Sequence, residues 1–218
     1  MSESASVVAE QFDDLEQQRD VARFGMWVFL VTEVLFFGGA ITSYWVYRLL
    51  YPHAWLIGSS KLMIYWIGTV NTALLLISSF TMALSVHEAK EGRRWRLVLF
   101  LITTMILGLA FLGLKFYEYH LHFADGLVPG PKFSYIGPER SHVELFFSFY
   151  YLMTGMHALH MTIGILLLLV MILFALSGKI TSRWHSPIVI VGLYWHFVDI
   201  VWIFLYPFFY LVGSKGGS

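Results

Sequence analysis

The chain has 218 residues, of which 58% are hydrophobic and 13% charged, against roughly 45–50% and about 25% in an ordinary soluble domain. That balance, with the apolar residues gathered into long blocks, excludes a soluble globular enzyme and a disordered chain. Cysteine is absent and fourteen basic residues meet fourteen acidic ones, which removes disulfides, thiolate metal sites and Cys-x-x-Cys-His haem attachment and leaves no basic excess for nucleic acid.

Residues 1–22 read as a polar, acidic tail, with Glu3, Glu10, Asp13, Asp14, Glu16 and Asp20 opposed within it by Arg19 alone. The tail has neither the basic start nor the apolar run of a secretory signal, so it is expected to be retained. Apolar segments then follow at about 24–50, 62–86, 97–118, 144–176 and 187–212. Each is long enough to cross about 30 Å of hydrocarbon as a helix. Each must be helical, because an open strand in lipid leaves its backbone groups unpaired. The expected fold is all-α, a five-helix membrane bundle over 23–213 with a short tail at 214–218. Breakers separate the spans: Tyr51-Pro52-His53, Glu91-Gly92-Arg93-Arg94, Pro129-Gly130-Pro131 with Gly137-Pro138, and Ser177-Gly178. Eight Lys and Arg residues fall on the side of the N-terminus and six on the other. This slight excess, concentrated in Arg93-Arg94-Trp95-Arg96, places the N-terminus in the cytoplasm and the C-terminus outside. Trp55, Tyr65, Trp66, Trp95, Tyr117, Tyr119 and Trp184 lie at span borders and are expected to form interfacial belts.

Several polar residues stand inside these spans. Glu33 lies in the first and Asp199 near the middle of the fifth, each costing roughly 2.5–3.5 kcal/mol at the bilayer centre if left unpaired. His157 and His160 stand three residues apart on the fourth span, and His196 is one turn from Asp199. Such groups should face other helices. They allow two readings: a carboxylate–imidazole site for metal binding or proton transfer, or interhelical hydrogen bonding that fixes the bundle. The second is favoured, because no His-x-x-x-His or His-His pair occurs. Glu118 reads either as a helix-end residue paired with Lys115 or as a carboxyl tying the long 119–143 loop to the bundle. Gly38/Thr42 and Gly39/Ser43 form overlapping small-residue pairs that would let another helix approach. The nineteen Phe are read as mostly lipid-facing bulk. Lys179, Arg183, Trp184 and His185, just before the fifth span, suit either topology-setting charge or an anionic lipid headgroup.

The motifs in all five spans resemble subunit III of the haem–copper terminal oxidases. They run from Arg23-Phe24-Gly25-Met26 and Thr32-Glu33-Val34-Leu35-Phe36-Phe37, through Asn71-Thr72 and Val86-His87, to Gly113-Leu114-Lys115-Phe116-Tyr117-Glu118-Tyr119 and Asp125-Gly126. The most specific are Thr154-Gly155-Met156-His157-Ala158-Leu159-His160-Met161 and Tyr194-Trp195-His196-Phe197-Val198-Asp199-Ile200-Val201-Trp202. The resemblance implies a subunit with no redox centre of its own in a proton-pumping oxygen reductase of a bacterial cytoplasmic membrane. The haems and copper would sit in partner subunits: a catalytic subunit I and an electron-entry subunit II. It further implies that Glu33 is an intramembrane carboxyl near the catalytic subunit and that His157, His160, His196, Asp199 and Glu118 are internal polar residues. Bound phospholipid is implied as well, with Lys179 to His185 overlapping the headgroup region. The long form of that family has seven helices, and this chain matches the short form without the first two. Two other readings remain: a quinol oxidase subunit of the same fold, and a free-standing membrane metalloenzyme built on the intramembrane His, Asp and Glu set.

Overall fold

The computed structural model describes residues 14–62, 65–182 and 184–211. They form six α-helices: α1 (Leu15–Leu50), α2 (Pro52–Leu62), α3 (Tyr65–Lys90), α4 (Arg94–Ala124), α5 (Arg140–Leu176) and α6 (Ser186–Tyr206). A π-helical turn, Pro207–Leu211, continues α6. Five helices are long and apolar enough to cross a membrane.

α1, α3, α4 and α5 run past the apolar segments that mark them in the sequence. Beyond the hydrocarbon, water tolerates polar side chains, so a helix continues until a cap or breaker stops it. α1 therefore reaches back into the stretch expected to be a tail. Asp14 starts it, its Oδ1 accepting the Gln17 N–H at 2.7 Å, and Glu16 in the first turn complements the positive end of the helix dipole. Pro52 opens α2, where its missing N–H is no loss; this short helix replaces the loop expected between the first two spans. α4 and α5 end at Gly126 and Gly178, at φ of +67° and +74°. There the Leu127 N–H returns to His122 O at 2.9 Å and the Lys179 N–H to Phe174 O at 3.1 Å, the six-to-one closure that only a left-handed residue permits. The long α4–α5 connection is pinned by the Gly130 N–H to Glu144 Oε1 (2.8 Å) and by Arg140 Nη2 to Phe133 O (2.6 Å).

α3, α4, α5 and α6 close a ring in which each helix packs on two others, α3 on α4, α4 on α5, α5 on α6 and α6 on α3. α1 is peripheral and leans mainly on α6. Only 11% of its most apolar stretch is buried, against 61% for α6. The five-helix bundle is thus a four-helix core with an outlying span. Trp195 fills the centre of the ring, its Nε1 donating to Ser78 Oγ at 3.2 Å, with Gly108 of α4 and Gly164 of α5 close against its six-membered ring.

Two expectations are corrected by this packing. Trp55 is not interfacial but fully buried against Tyr44, Phe146 and Phe149. Phe37, Phe111, Phe133, Phe146, Phe147, Phe197 and Phe209 are buried too, so phenylalanine supplies much of the core as well as the lipid-facing surface. No helix of this chain reaches Gly38 or Gly39: among the described residues nothing lies within 4 Å of a methyl placed on either. The Thr42 and Ser43 hydroxyls donate back to their carbonyls at 2.8 and 3.0 Å.

The two kinds of glycine should separate in a stability measurement. A Cβ on Gly108 would meet Trp195 at 2.7 Å, so Gly108→Ala is expected to destabilise the purified chain by about 1–3 kcal/mol. Gly39→Ala should leave its thermal unfolding unchanged or raise it slightly.

Candidate functional site

The polar side chains of the bundle interior fall into separate groups, each joining different helices. The most deeply buried is centred on Lys115 of α4, which is 1% exposed. Its ammonium donates to Glu118 Oε2 at 2.9 Å, to Tyr150 Oη of α5 at 2.9 Å and to Tyr210 Oη of the π-helical turn at 2.8 Å. Tyr210 Oη in turn donates to Glu118 Oε1 at 2.6 Å. All three N–H donors are occupied. The charge also lies 4.5 Å from the centre of the Tyr150 ring and 5.1 Å from that of Trp202, a favourable place for a desolvated cation. Of the two readings open for Glu118, pairing with Lys115 is the observed one. It is not a helix-end pair, since α4 continues to Ala124.

A second group fastens α1. Glu33 Oε2 lies 3.1 Å from His160 Nε2, and His160 Nδ1 lies 2.8 Å from Met156 O. A carbonyl only accepts, so Nδ1 carries a hydrogen and donates to it. Nε2 and the carboxyl then share a single proton: imidazolium on carboxylate, or neutral imidazole accepting from a carboxylic acid. Either form leaves the pair without net charge, which suits its depth. Tyr194 Oη donates to His160 O at 3.0 Å, tying the same turn of α5 to α6.

The remaining candidates lie elsewhere. His157 packs against the rings of Phe111 (5.5 Å) and Trp202 (5.2 Å), and neither of its nitrogens meets a hydrogen-bond partner. Although it is only one turn from His160, a three-residue step turns it by about 60° around the helix, into the four-helix core and away from α1. His196 Nδ1 pairs with Ser79 Oγ of α3 at 2.8 Å. Asp199 is 3% exposed and lies near the same serine, without a hydrogen bond of normal geometry. Among the described residues, no three His, Asp or Glu side chains converge on a point that could hold a metal ion. The set Glu33, His157, His160, His196 and Asp199, which a metalloenzyme would need in one place, is dispersed around the ring.

At the opposite end of the bundle, Lys179 is exposed with its Nζ 5.0 Å over the Phe174 ring. Trp184 also flanks that ring, and His185 Nδ1 lies 2.7 Å from Ser182 O. Arg183 lies outside the described residues. Sequence reasoning missed the partners that arrive from distant segments. Tyr150 and Tyr210 complete the lysine site. The carbonyls of the π-helical turn receive hydroxyls from two other elements, Ser59 Oγ to Phe209 O at 2.7 Å and Tyr44 Oη to Phe208 O. The only local signal was a lysine three residues before a glutamate inside a span.

Removing one half of the buried ion pair strands the other. Lys115→Met is expected to destabilise the chain by about 3–5 kcal/mol. The double variant Lys115→Met/Glu118→Leu should recover much of that loss in thermal or denaturant unfolding.

Comparison with known proteins accords with this arrangement. Residues 15–214 match the family model described as Cytochrome c oxidase subunit III. The chain is 32% identical to the Cytochrome bo(3) ubiquinol oxidase subunit 3 of Pseudomonas aeruginosa over 88% of this chain and 85% of that one. It is 31% identical to the Quinol oxidase subunit 3 of Bacillus spizizenii, covering 93% and 94% of the two chains. It is 30% identical to the Cytochrome c oxidase subunit 3 of Thermostichus vulcanus, covering 92% of each. The relatives are thus oxidase subunits of both electron-donor types, and the chain belongs to the subunit III family of the haem–copper oxidases.

Proposed function

We propose that this chain is the non-redox subunit III of a proton-pumping oxygen reductase that oxidises cytochrome c in a bacterial cytoplasmic membrane. Its N-terminus faces the cytoplasm. It packs on a catalytic subunit I in a complex that also contains an electron-entry subunit II, these partners holding the haems and copper, and it sustains proton uptake and lasting turnover while binding phospholipid. The observation that carries this reading is the division of the interior polar groups. Lys115, Glu118, His160 and Glu33 each hold another helix or turn of this same chain, and among the described residues no three His, Asp or Glu side chains come together around a possible metal ion. In this reading Glu33, on the span with the least internal packing, lies near the catalytic subunit. His157, His196 and Asp199 act as internal polar residues, and Lys179, Arg183, Trp184 and His185 stand at headgroup depth.

A second reading shares the fold and differs in the electron donor. Two of the relatives are named quinol oxidase subunits, so the complex would take electrons from a quinol. Assaying the purified complex with reduced cytochrome c and with quinol decides between them, and rapid turnover with cytochrome c is expected.

Stripping this chain from the complex should leave the haem optical spectrum intact while activity decays within fewer turnovers. Loss of haem on its removal would contradict the proposal. Glu33→Gln should assemble and keep most steady-state activity, because the amide can still donate to His160. An immediate and total loss of turnover in that variant would make Glu33 a required proton carrier.

A further inference from the structure

The α3–α4 and α5–α6 turns are far apart in sequence and meet in space. A methyl on Gly92 would lie 3.6 Å from the Ser182 side chain, and one on Gly178 would lie 3.6 Å from the Arg94 guanidinium. The two turns therefore make one basic rim at this end of the bundle. Its charges are not equivalent. Arg93 is engaged by local acids, 3.6 Å from Glu88 and 3.7 Å from Glu91. Arg94, Arg96 and Lys179 have no carboxylate within ion-pair distance among the described residues, and all three are exposed. Arg93, Arg94, Trp95 and Arg96 line a shallow, open pocket.

What lies below the rim selects the occupant. Trp95, at the first turn of α4, is 74% exposed, and the Arg94 guanidinium sits 5.6 Å from the centre of its ring. Leu99 and Ile106 are 59% and 57% exposed, and steps of four and eleven residues put them on the same face of α4 as Trp95. An anion-attracting rim thus stands at the head of an exposed apolar stripe, with an aromatic ring at the boundary between them. A free phosphate would use only the rim; an amphiphile uses both.

We propose that Arg94, Arg96 and Lys179 bind the phosphate headgroup of an anionic phospholipid whose acyl chains lie along the Trp95–Leu99–Ile106 face of α4. This deepens the lipid-binding part of the proposed function, sharing Lys179 with it. It does not depend on the oxidase assignment, so the two stand or fall separately.

The test uses the full chain with the chains that copurify with it, reconstituted in phosphatidylcholine nanodiscs holding a minor fraction of phosphatidylglycerol. Lipid retained after release into detergent is counted by native mass spectrometry. The parent protein is expected to retain phosphatidylglycerol over phosphatidylcholine. Arg94→Gln/Arg96→Gln/Lys179→Gln should lower that retention by about tenfold or more, each basic side chain near the surface contributing to anionic-lipid attraction. Arg94→Lys/Arg96→Lys should restore most of it, and Arg48→Gln, at the opposite end of α1, should change nothing. Equal retention by the triple glutamine variant, or no preference for phosphatidylglycerol in the parent, overturns the proposal. So does complete displacement of the lipid by glycerol phosphate, which would make the rim a site for soluble anions.

Discussion

An ammonium group inside a bundle surrounded by hydrocarbon must find all its partners within the protein, because water does not reach it and lipid cannot solvate it. Lys115 meets that constraint by recruiting three elements at once. Glu118 comes from its own helix, Tyr150 from α5, and Tyr210 from the π-helical turn at the end of the last span. Leaving such a charge alone would cost several kcal/mol. The pairing thus fixes where the end of the last described span lies, and Tyr210 cannot leave without taking one hydrogen bond from each ion.

The same logic organises the periphery. α1 has little buried surface with which to hold itself to the core, and it docks through a few directional contacts. The Glu33–His160 pair joins it to α5. Tyr44 reaches the carbonyl of Phe208, while Ser59 of the adjoining α2 caps Phe209. A π-helical turn leaves its carbonyls displaced from the regular ladder, and these hydroxyls donate to two of them. Between lipid-exposed helices dispersion offers little preference for one neighbour over acyl chains, so polar contacts and close small-residue packing decide the arrangement. Gly108 and Gly164 supply the latter for Trp195. Gly38/Thr42 and Gly39/Ser43 pack no other helix among the described residues of this chain, and their hydroxyls donate to their own helix.

The number of spans, their helical character and the membrane environment were legible in the sequence, because hydropathy over a span-length window reflects the solvent directly. Helix ends were less so. Asp14, Gly126 and Gly178 are cap residues, and caps act on the backbone where hydropathy has already faded. α2 was invisible for a related reason: Pro52 looks like a breaker and is here a first-turn residue. At the candidate site, Glu33, Glu118, His157, His160, His196 and Asp199 stood out as polar residues in apolar segments. Their grouping did not. His157 and His160 share a helix and a motif but face different neighbours, and Tyr210 lies 92 residues from the glutamate it donates to. No local pattern encodes such a pairing.

In these contacts the ionisable groups of the interior dock helices, and the proposed function assigns electron transfer to other chains. The most direct test is metal and haem analysis of the purified chain, separated from its partners, with its optical spectrum recorded. The account predicts no stoichiometric iron, copper or zinc and no visible absorption band. A metal held at one equivalent per chain, or a coloured centre retained by this polypeptide by itself, would contradict it.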